Sequence, residues 1–367
     1  MIDSRLSILY LGPMSGTCLD RANALRRLGH QVTHLDLRNL LPQTAWVDRV
    51  TWKFGGAIFS RWLMRTLPEI LGERRIRFDL CYVDGGEWVT AAIIALLRQY
   101  AKKIINYNID DPLGPRDGAR SKVYRQSLPC YDLSVVMRPQ NMIEARARGA
   151  DNVMCVFRSA DEISHAPRRL TQADHEQWDC DVLFLGTWMP ERGAFLLALI
   201  RQGVPLTIQG PHWHKAPEWS ELQPHWRGGA LQSDDYAKAI QCAKVNLGLL
   251  SKGNRDLHTT RSLEIPALGS LLCAERTVEH LTMYNEGEEA LFWDGAEECA
   301  AMCKLALGNE GRRQSIASAG HQRIRRNGHY NETILAGVLA KVFPERADPR
   351  FLTGTWLTHQ TANLVGA

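Results

Sequence analysis

Short apolar runs rich in β-branched residues alternate with amphipathic stretches along nearly the whole chain. In the first half the runs fall at residues 6–11, 32–35, 80–83, 104–106, 133–136 and 153–157. Between them, residues 20–28 and 88–100 repeat their apolar positions with the helical period, and Gly29 stops the first of these stretches. Such alternation predicts parallel strands joined by crossover helices. A polar stretch without strong period, residues 162–179, interrupts the rhythm and reads as an interdomain linker. Thereafter strands are expected at 182–185, 206–208, 245–250, 271–274 and 290–292, with helices near 191–202, 234–243 and 297–307. A further helix covers 310–326 and another runs to 342, while the stretch after Pro344 carries no signal. The pattern predicts an α/β chain of two Rossmann-like, doubly wound domains facing a central cleft. Their expected extents are residues 1–165 and 175–330, with a helix and tail, 331–367, crossing back to the first domain.

A length of 367 residues is roughly twice that of an ordinary domain, in keeping with two cores. Hydrophobic residues at 45% and charged residues at 23% describe an ordinary globular chain rather than a disordered one. The formal charge of +4 is too small for wholesale nucleic-acid binding, although it suits an anionic small molecule in a local basic cleft. Nine cysteines include no CxxC pair and mostly fall in apolar runs, as buried reduced thiols do. The first strand follows the N-terminus without a basic and apolar leader, and no apolar run reaches the length of about eighteen residues that a membrane span needs. A cytoplasmic location is therefore expected.

Both halves open with a strand and a glycine turn: Gly12 and Gly16 in the first, Gly186 and Thr187 in the second. Neither matches the GxGxxG dinucleotide fingerprint, which argues against a nicotinamide or flavin. Tight packing of an ordinary turn explains Gly12 and Gly16 equally well. Arg192 falls near the start of the next helix, where free backbone N–H groups and the helix dipole favour an anion. A guanidinium there suits a diphosphate, and a solvated arginine is the alternative.

Glu264 stands in the otherwise apolar or small run 263–273. A buried carboxylate needs a firm partner or a ligand. Ribose hydroxyls would satisfy it; a salt bridge to Arg261 is the competing account. Asp256 precedes it in the polar loop 251–260, which also carries Asn254, Thr259 and Thr260. Either threonine is a candidate N-cap that would leave N–H groups facing a phosphate. In the first half, Asp110-Asp111-Pro112 ends a strand and offers carboxylates for base catalysis or acceptor binding, or else a simple Asp-Pro turn. His212-Trp213-His214 lacks a further ligand at zinc spacing, so no metal site is expected.

Several of these segments resemble a known family. They are 184–192, Gly210-Pro211-His212-Trp213, 261–270 and His329-Tyr330, together with Asn108-Ile109-Asp110-Asp111-Pro112 and Arg138-Pro139-Gln140-Asn141. They are similar to the CgeB-like, spore-maturation-type glycosyltransferases, within the GT-B enzymes that have a family-1/family-4-like C-terminal domain. The likeness covers most of the chain, strongest in the C-terminal half and loose before residue 100. It implies a GT-B fold and a nucleotide-diphosphate sugar as donor substrate, held mainly by the C-terminal domain, with no metal or other cofactor. Glu264 matches the second glutamate of the family's E-x7-E motif, which contacts the donor ribose. Asp256 stands where the first glutamate belongs, and its shorter side chain puts the implied contact with the donor sugar in question. Gly186 matches the turn glycine, and Arg192 lies near the basic position that meets the diphosphate. The expected donor site thus comprises Gly186, Thr187, Arg192, Gly210, Trp213, Asn254, Thr259, Thr260, Arg261 and Glu264, with Gly12 and Gly16 across the cleft; Asp110, Asp111 and Asp256 are the expected catalytic carboxylates. The implied reaction transfers a sugar to a hydroxyl of a glycan, lipid-linked glycan or protein in cell-surface glycan synthesis, leaning toward retention. A nucleotide-sugar 2-epimerase and a catalytically silent binding module are the rivals.

Residues 46–77 stand apart, because Trp52, Phe54, Ile58, Phe59, Trp62, Leu63 and Met64 mingle there with Arg49, Lys53, Arg61, Arg65, Arg74, Arg75 and Arg77. The ordinary expectation packs the aromatic face on a sheet. The alternative is a basic amphipathic surface at the inner face of a membrane or against an anionic acceptor.

Overall fold

The structure, a computed structural model, describes residues 5–72, 77–116 and 118–346. It divides into two compact units, one holding residues up to Phe157 and those from Asn331 onward, the other Arg158–Tyr330.

In the first unit the strands are β1 (Ser7–Leu11), β2 (Gln31–Leu35), β3 (Phe78–Asp84), β4 (Ala101–Asn108), β5 (Leu133–Val136) and β6 (Val153–Cys155). They form one parallel sheet in the order β2-β1-β3-β4-β5-β6. The connecting helices are α1 (Gly16–Arg27), α2 (Ala45–Phe54), α3 (Ser60–Leu71), α4 (Ala91–Leu97), α5 (Lys122–Ser127) and α6 (Pro139–Arg146). Central strands are apolar on both faces because helices cover both, as a parallel sheet requires.

The second unit begins with residues 158–171 and α7 (Gln172–Trp178), so the stretch read as a linker is instead built into it. Thr171 and Asp174 close a capping box at the start of α7, a local signal that the weak apolar period hid. The strands are β7 (Cys180–Leu185), β8 (Leu206–Gln209), β9 (Trp226–Gly228), β10 (Ala243–Gly248), β11 (Leu272–Glu275) and β12 (Leu291–Trp293). Their helices are α8 (Pro190–Arg201), α9 (Trp219–Leu222), α10 (Ser233–Cys242), α11 (Arg261–Ala267), α12 (Val278–Met283), α13 (Ala296–Gly308) and α14 (Glu310–Asn327). The parallel sheet runs β12-β11-β10-β7-β8-β9. The last helix, α15 (Asn331–Val342), lies in the first unit, where Ile334, Leu335 and Val338 join the core beside α1 and Glu332 pairs with Arg27 at 2.5 Å.

The aromatic stretch meets the packing expectation only in part. It forms two helices, broken at Gly55, whose positive φ of 83° admits a glycine where an added Cβ would stand 2.8 Å from Ala119 O. Val47, Phe59, Leu63, Leu67 and Leu71 face the core, whereas Trp52, Phe54, Ile58 and Trp62 are exposed. Arg74 and Arg75 lie outside the described residues. Among the described residues no helix is long and apolar enough to cross a membrane.

Candidate functional site

In the second unit the chain runs outward from β7 through β8 to β9, then returns to place β10 on the other side of β7. The loops leaving β7 and β10 therefore diverge at a switch point, where open parallel sheets bind ligands beyond their carboxyl ends. Arg192, in the first turn of α8, spans these loops. It is buried, with Nη1 donating to Thr187 O at 2.9 Å and Nη2 to Leu249 O at 3.3 Å and Leu250 O at 3.1 Å. The expected diphosphate-binding side chain is thus a strut between two loops, because a buried guanidinium takes the nearest acceptors.

Gly186, Gly210 and Trp213 likewise shape the turn from inside. A Cβ on Gly210 would stand 2.1 Å from Gly186 O, and one on Gly186 would press on the Phe184 ring at 2.8 Å. Trp213, fully buried, donates Nε1–H to Gly186 O at 3.0 Å and meets Phe184 edge to face. Burial in the core removes Trp213 from direct ligand contact and corrects that expectation. Thr187 hydroxyl donates to Pro211 O at 3.4 Å. His212 adopts a left-handed backbone, and its ring lies 6.3 Å from that of His214.

After β10 the loop makes a short turn, Lys252–Asn254, in which Asn254 is half-buried. Asp256 then turns inward and receives Arg158 Nη2 at 2.9 Å, both side chains being almost fully buried. This ion pair matches the Asp256 charge within the protein, where the expectation had the carboxylate meet the donor sugar. Arg158 Nη1 also donates to His258 O at 2.6 Å, and His258 Nε2 accepts the Arg158 backbone N–H at 3.0 Å. His258 Nδ1 contacts Glu279; burial lowers the imidazole's pKa, with Glu279 opposing the shift.

Glu264 lies on α11 at the same end of the sheet. Its carboxylate accepts the Tyr236 hydroxyl and faces His165 Nε2 at 3.6 Å. Burial alone raises its pKa, but His165, Arg261 and hydrogen bonds from Tyr236 and Thr260 hold it below the usual carboxylate range. Arg261 influences Glu264 through space, while its guanidinium sits 5.8 Å from the Tyr236 ring centroid and Nη1 donates to Thr260 Oγ1 at 3.3 Å. The salt-bridge account is thus replaced by a cluster in which tyrosine and histidine are the close partners. Arg261 Nε, Thr259 Oγ1 and Trp188 Nε1 are buried without a hydrogen-bond partner among the described residues. Buried polar groups are rarely left unpaired, so Arg261 Nε and Thr259 Oγ1, two residues apart, are candidates to meet an acceptor-rich ligand, whereas Trp188 packs against the second unit's core.

The loop is braced from behind by α12 and its flanks. Thr277 Oγ1 donates to Leu257 O at 2.6 Å, Tyr284 hydroxyl to Ser262 O at 2.7 Å, and His280 Nε2 lies 2.7 Å from Ser262 Oγ, which receives Thr259 N–H at 3.1 Å. Sequence reasoning missed Arg158, His165, Tyr236, Glu279 and His280. Isolated polar residues, whether in loops as Arg158 and His165 or in helices as Tyr236, Glu279 and His280, give no pairwise signal in the sequence.

In the first unit a cavity of about 270 Å³ opens beyond the carboxyl ends of β1, β3 and β4, lined by Gly12, Asp36, Asp84, Glu87, Asp110 and Arg120 among others. Asp110 is half-buried there, its N–H bonded to Asn108 Oδ1 at 3.0 Å and its carbonyl to Arg138 at 2.8 Å. Asp111 turns inward instead. Its Oδ1 accepts Gly114 N–H at 3.0 Å and Asn141 at 2.8 Å, which makes it a turn-holding carboxylate and corrects its assignment as catalytic. An added Cβ at Gly12 would reach Asp84 Cβ at 2.9 Å, so this glycine permits close packing. Gly16 opens α1 with a φ of 53° and open space around its Cβ position. Asp84, on the cavity wall, accepts Arg21 Nε at 2.8 Å and the Tyr10 hydroxyl. Burial, then Asp84, pushes the Tyr10 pKa well above the phenol range.

Residues 192–340 match a family model described as glycosyl transferase-like. No curated protein matches the sequence. Among solved structures, sucrose-phosphate synthase from Thermosynechococcus elongatus superposes with a TM-score of 0.67 at 12% identity, covering 92% of this chain and 98% of that one. Anabaena HepE in complex with UDP-glucose gives a TM-score of 0.62 at 11% identity over 92% and 100% of the two chains. A protein from Listeria monocytogenes described as a UDP-N-acetylglucosamine 2-epimerase gives 0.58 at 12% identity over 94% and 98%. The fold is that of the GT-B glycosyltransferase structures.

Proposed function

We propose that this chain is a glycosyltransferase that moves a sugar from a nucleotide-diphosphate donor to an acceptor hydroxyl, without a metal ion. The observation that carries this reading is the pair of unmatched buried donors, Arg261 Nε and Thr259 Oγ1, beside the ionised Glu264 at the switch-point end of the second unit's sheet. The glycosyl transferase-like match over residues 192–340 and the neighbour holding UDP-glucose support it.

On this reading Arg261, Thr259 and the Thr260 turn receive the diphosphate and stabilise it as it departs. Fixed donors aimed at developing charge are usually the largest catalytic contribution. Glu264, already oriented by Tyr236 and His165, accepts hydrogen bonds from the ribose. Arg192, Trp213 and the glycines hold the turn rather than the ligand. Asp110, in the first unit's cavity, takes the proton of the acceptor hydroxyl. Membership of the CgeB-like branch, retention of configuration by attack of the acceptor oxygen on the face that the diphosphate leaves, and a role in cell-surface glycan synthesis extend the same proposal. The epimerase reading is backed by a neighbour of lower similarity and is not adopted.

Calorimetric titration with UDP, GDP, dTDP and CMP tests the donor site directly. One of these is expected to bind wild type and to lose at least tenfold affinity in Arg261→Ala. Absence of binding by all four to the folded protein would discard the reading.

A further inference from the structure

Helices α2 and α3 and the turn between them bury one row of side chains, Val47, Phe59, Leu63, Leu67 and Leu71. The opposite surface does not follow the usual rule of polar residues outside. Trp52 is 59% exposed, Phe54 61%, Ile58 64% and Trp62 52%, and Trp46, Met64 and Ile70 are exposed as well. Monomeric soluble proteins scatter such residues singly, and a concentration of this kind marks an interaction surface.

The charges on the same segment say what that surface meets. Arg49, Lys53, Arg61 and Arg65 are all exposed. The acids there are Asp48, held by Arg38 at 2.7 Å, and Glu69. Arg120 stacks over the Trp52 ring at 5.1 Å, and Lys53 over Phe54 at 5.3 Å. Large apolar side chains interleaved with cations match an interface that is apolar at depth and anionic at its surface. A second copy of the chain would instead set these cations against one another.

We propose that residues 45–71 dock on an anionic lipid bilayer, with Trp52, Phe54, Ile58 and Trp62 at headgroup depth and the cations against lipid phosphates. The docking surface adjoins the first unit's cavity. Trp88 and Arg120 line that cavity, Trp88 Nε1 donates to Thr51 Oγ1 of α2 at 3.1 Å, and Arg120 stacks on Trp52. The cavity thus opens beside the lipid surface, which makes a lipid-linked hydroxyl the acceptor class. That last step rests on the transferase reading, whereas the docking does not.

Co-sedimentation and tryptophan emission with vesicles of phosphatidylglycerol and phosphatidylcholine, against phosphatidylcholine alone, provide the test, in the absence of nucleotide and sugar. Wild type is expected to bind the anionic vesicles at least tenfold more tightly, with a blue shift. The triple variant Trp52→Ser, Phe54→Ser, Ile58→Ser should lose at least tenfold affinity with its thermal midpoint kept. Arg61→Glu with Arg65→Glu should lose about thirty-fold or more, as expected for removing two cations from an anionic surface. Wild type remaining in the supernatant with both vesicles at low salt would overturn the proposal, as would folded variants that bind like wild type. A concentration-dependent dimer that the serine variant abolishes, without vesicle binding, would reassign the surface to a second copy. Failure here leaves the nucleotide titration to judge the donor reading separately.

Discussion

Ser262 Oγ lies 2.7 Å from His280 Nε2, and the other imidazole nitrogen lies 2.6 Å from Glu275 O. Only the neutral Nδ1–H tautomer satisfies both contacts as a donor to the carbonyl and an acceptor from the hydroxyl. The hydroxyl oxygen then receives Thr259 N–H, so a buried histidine fixes the loop that carries the proposed diphosphate contacts.

This gives a pH dependence with a definite sign. Burial lowers the His280 pKa from 6.5 to about 4, so the unfolded chain binds the extra proton first. The associated stability is fully present above pH 6.5 and is lost as pH falls toward about 4, by about 3 kcal/mol for this group. Burial depresses His258 and His329 in the same direction. Urea midpoints measured between these pH values should fall in wild type and fall less steeply in His280→Gln. Equal slopes would remove His280 from the account.

Arg261→Ala and Thr259→Val remove two atoms that lack an internal hydrogen-bond partner, Arg261 Nε and Thr259 Oγ1, although Arg261 Nη1 also bonds Thr260 Oγ1. Nucleotide affinity should drop about ten- to a hundred-fold for the arginine, the range for hydrogen bonds to charged groups, and less for the threonine. The thermal midpoint without nucleotide should barely move in Thr259→Val, and should fall in Arg261→Ala by less than nucleotide affinity does, because the arginine also supports Glu264. A large loss of stability with affinity intact would show that these side chains serve the fold.

Asp256→Ala should behave in the opposite way. It leaves Arg158 buried without its carboxylate, at a cost of about 3–5 kcal/mol. A double-mutant cycle with Arg158→Met should recover much of that loss. If Asp256→Ala unfolds like wild type and only turnover falls, the carboxylate faces substrate after all.

Gly210→Ala tests the turn. The added Cβ would meet Gly186 O at 2.1 Å in a backbone of φ 142°, so expression of folded protein should fall sharply, or the melting point should drop. An unchanged melting curve would mean that the two turns can separate freely.

Asp110→Asn keeps shape and removes the proposed base. Turnover with acceptor should fall at least a hundred-fold, within the usual range for a general base, while donor binding and melting stay near wild type. Asp111→Asn, by contrast, should mainly lower stability, because Asp111 holds Gly114 N–H and Asn141.

The sheets were legible because alternating apolar runs at fixed spacing report a parallel architecture directly, and every expected strand has a counterpart. The edge strand β9 escaped because Trp226-Arg227-Gly228 is short and outward-facing. Glu264 was legible as a charge in an apolar run. Its partners were not, since Tyr236 and His165 come from distant segments and a carboxylate does not announce which hydroxyl it will meet. Asp256 and Arg192 misled for a common reason: a charged side chain beside a binding loop can face inward to an ion partner or a backbone carbonyl as readily as outward to a ligand. The aromatic stretch misled because Val47, Phe59 and three leucines took the core positions, leaving Trp52, Phe54 and Trp62 outside.

A guanidinium bolted to carbonyls of two separate loops also sets how those loops move. Neither can swing open alone without stranding donors that the other loop cannot replace, so amide hydrogen exchange around Thr187 and Leu249 belongs to one cooperative opening event. The rim of the proposed donor site is thereby ordered in advance, and on that reading the entropy of arranging it is spent in folding instead of in catalysis.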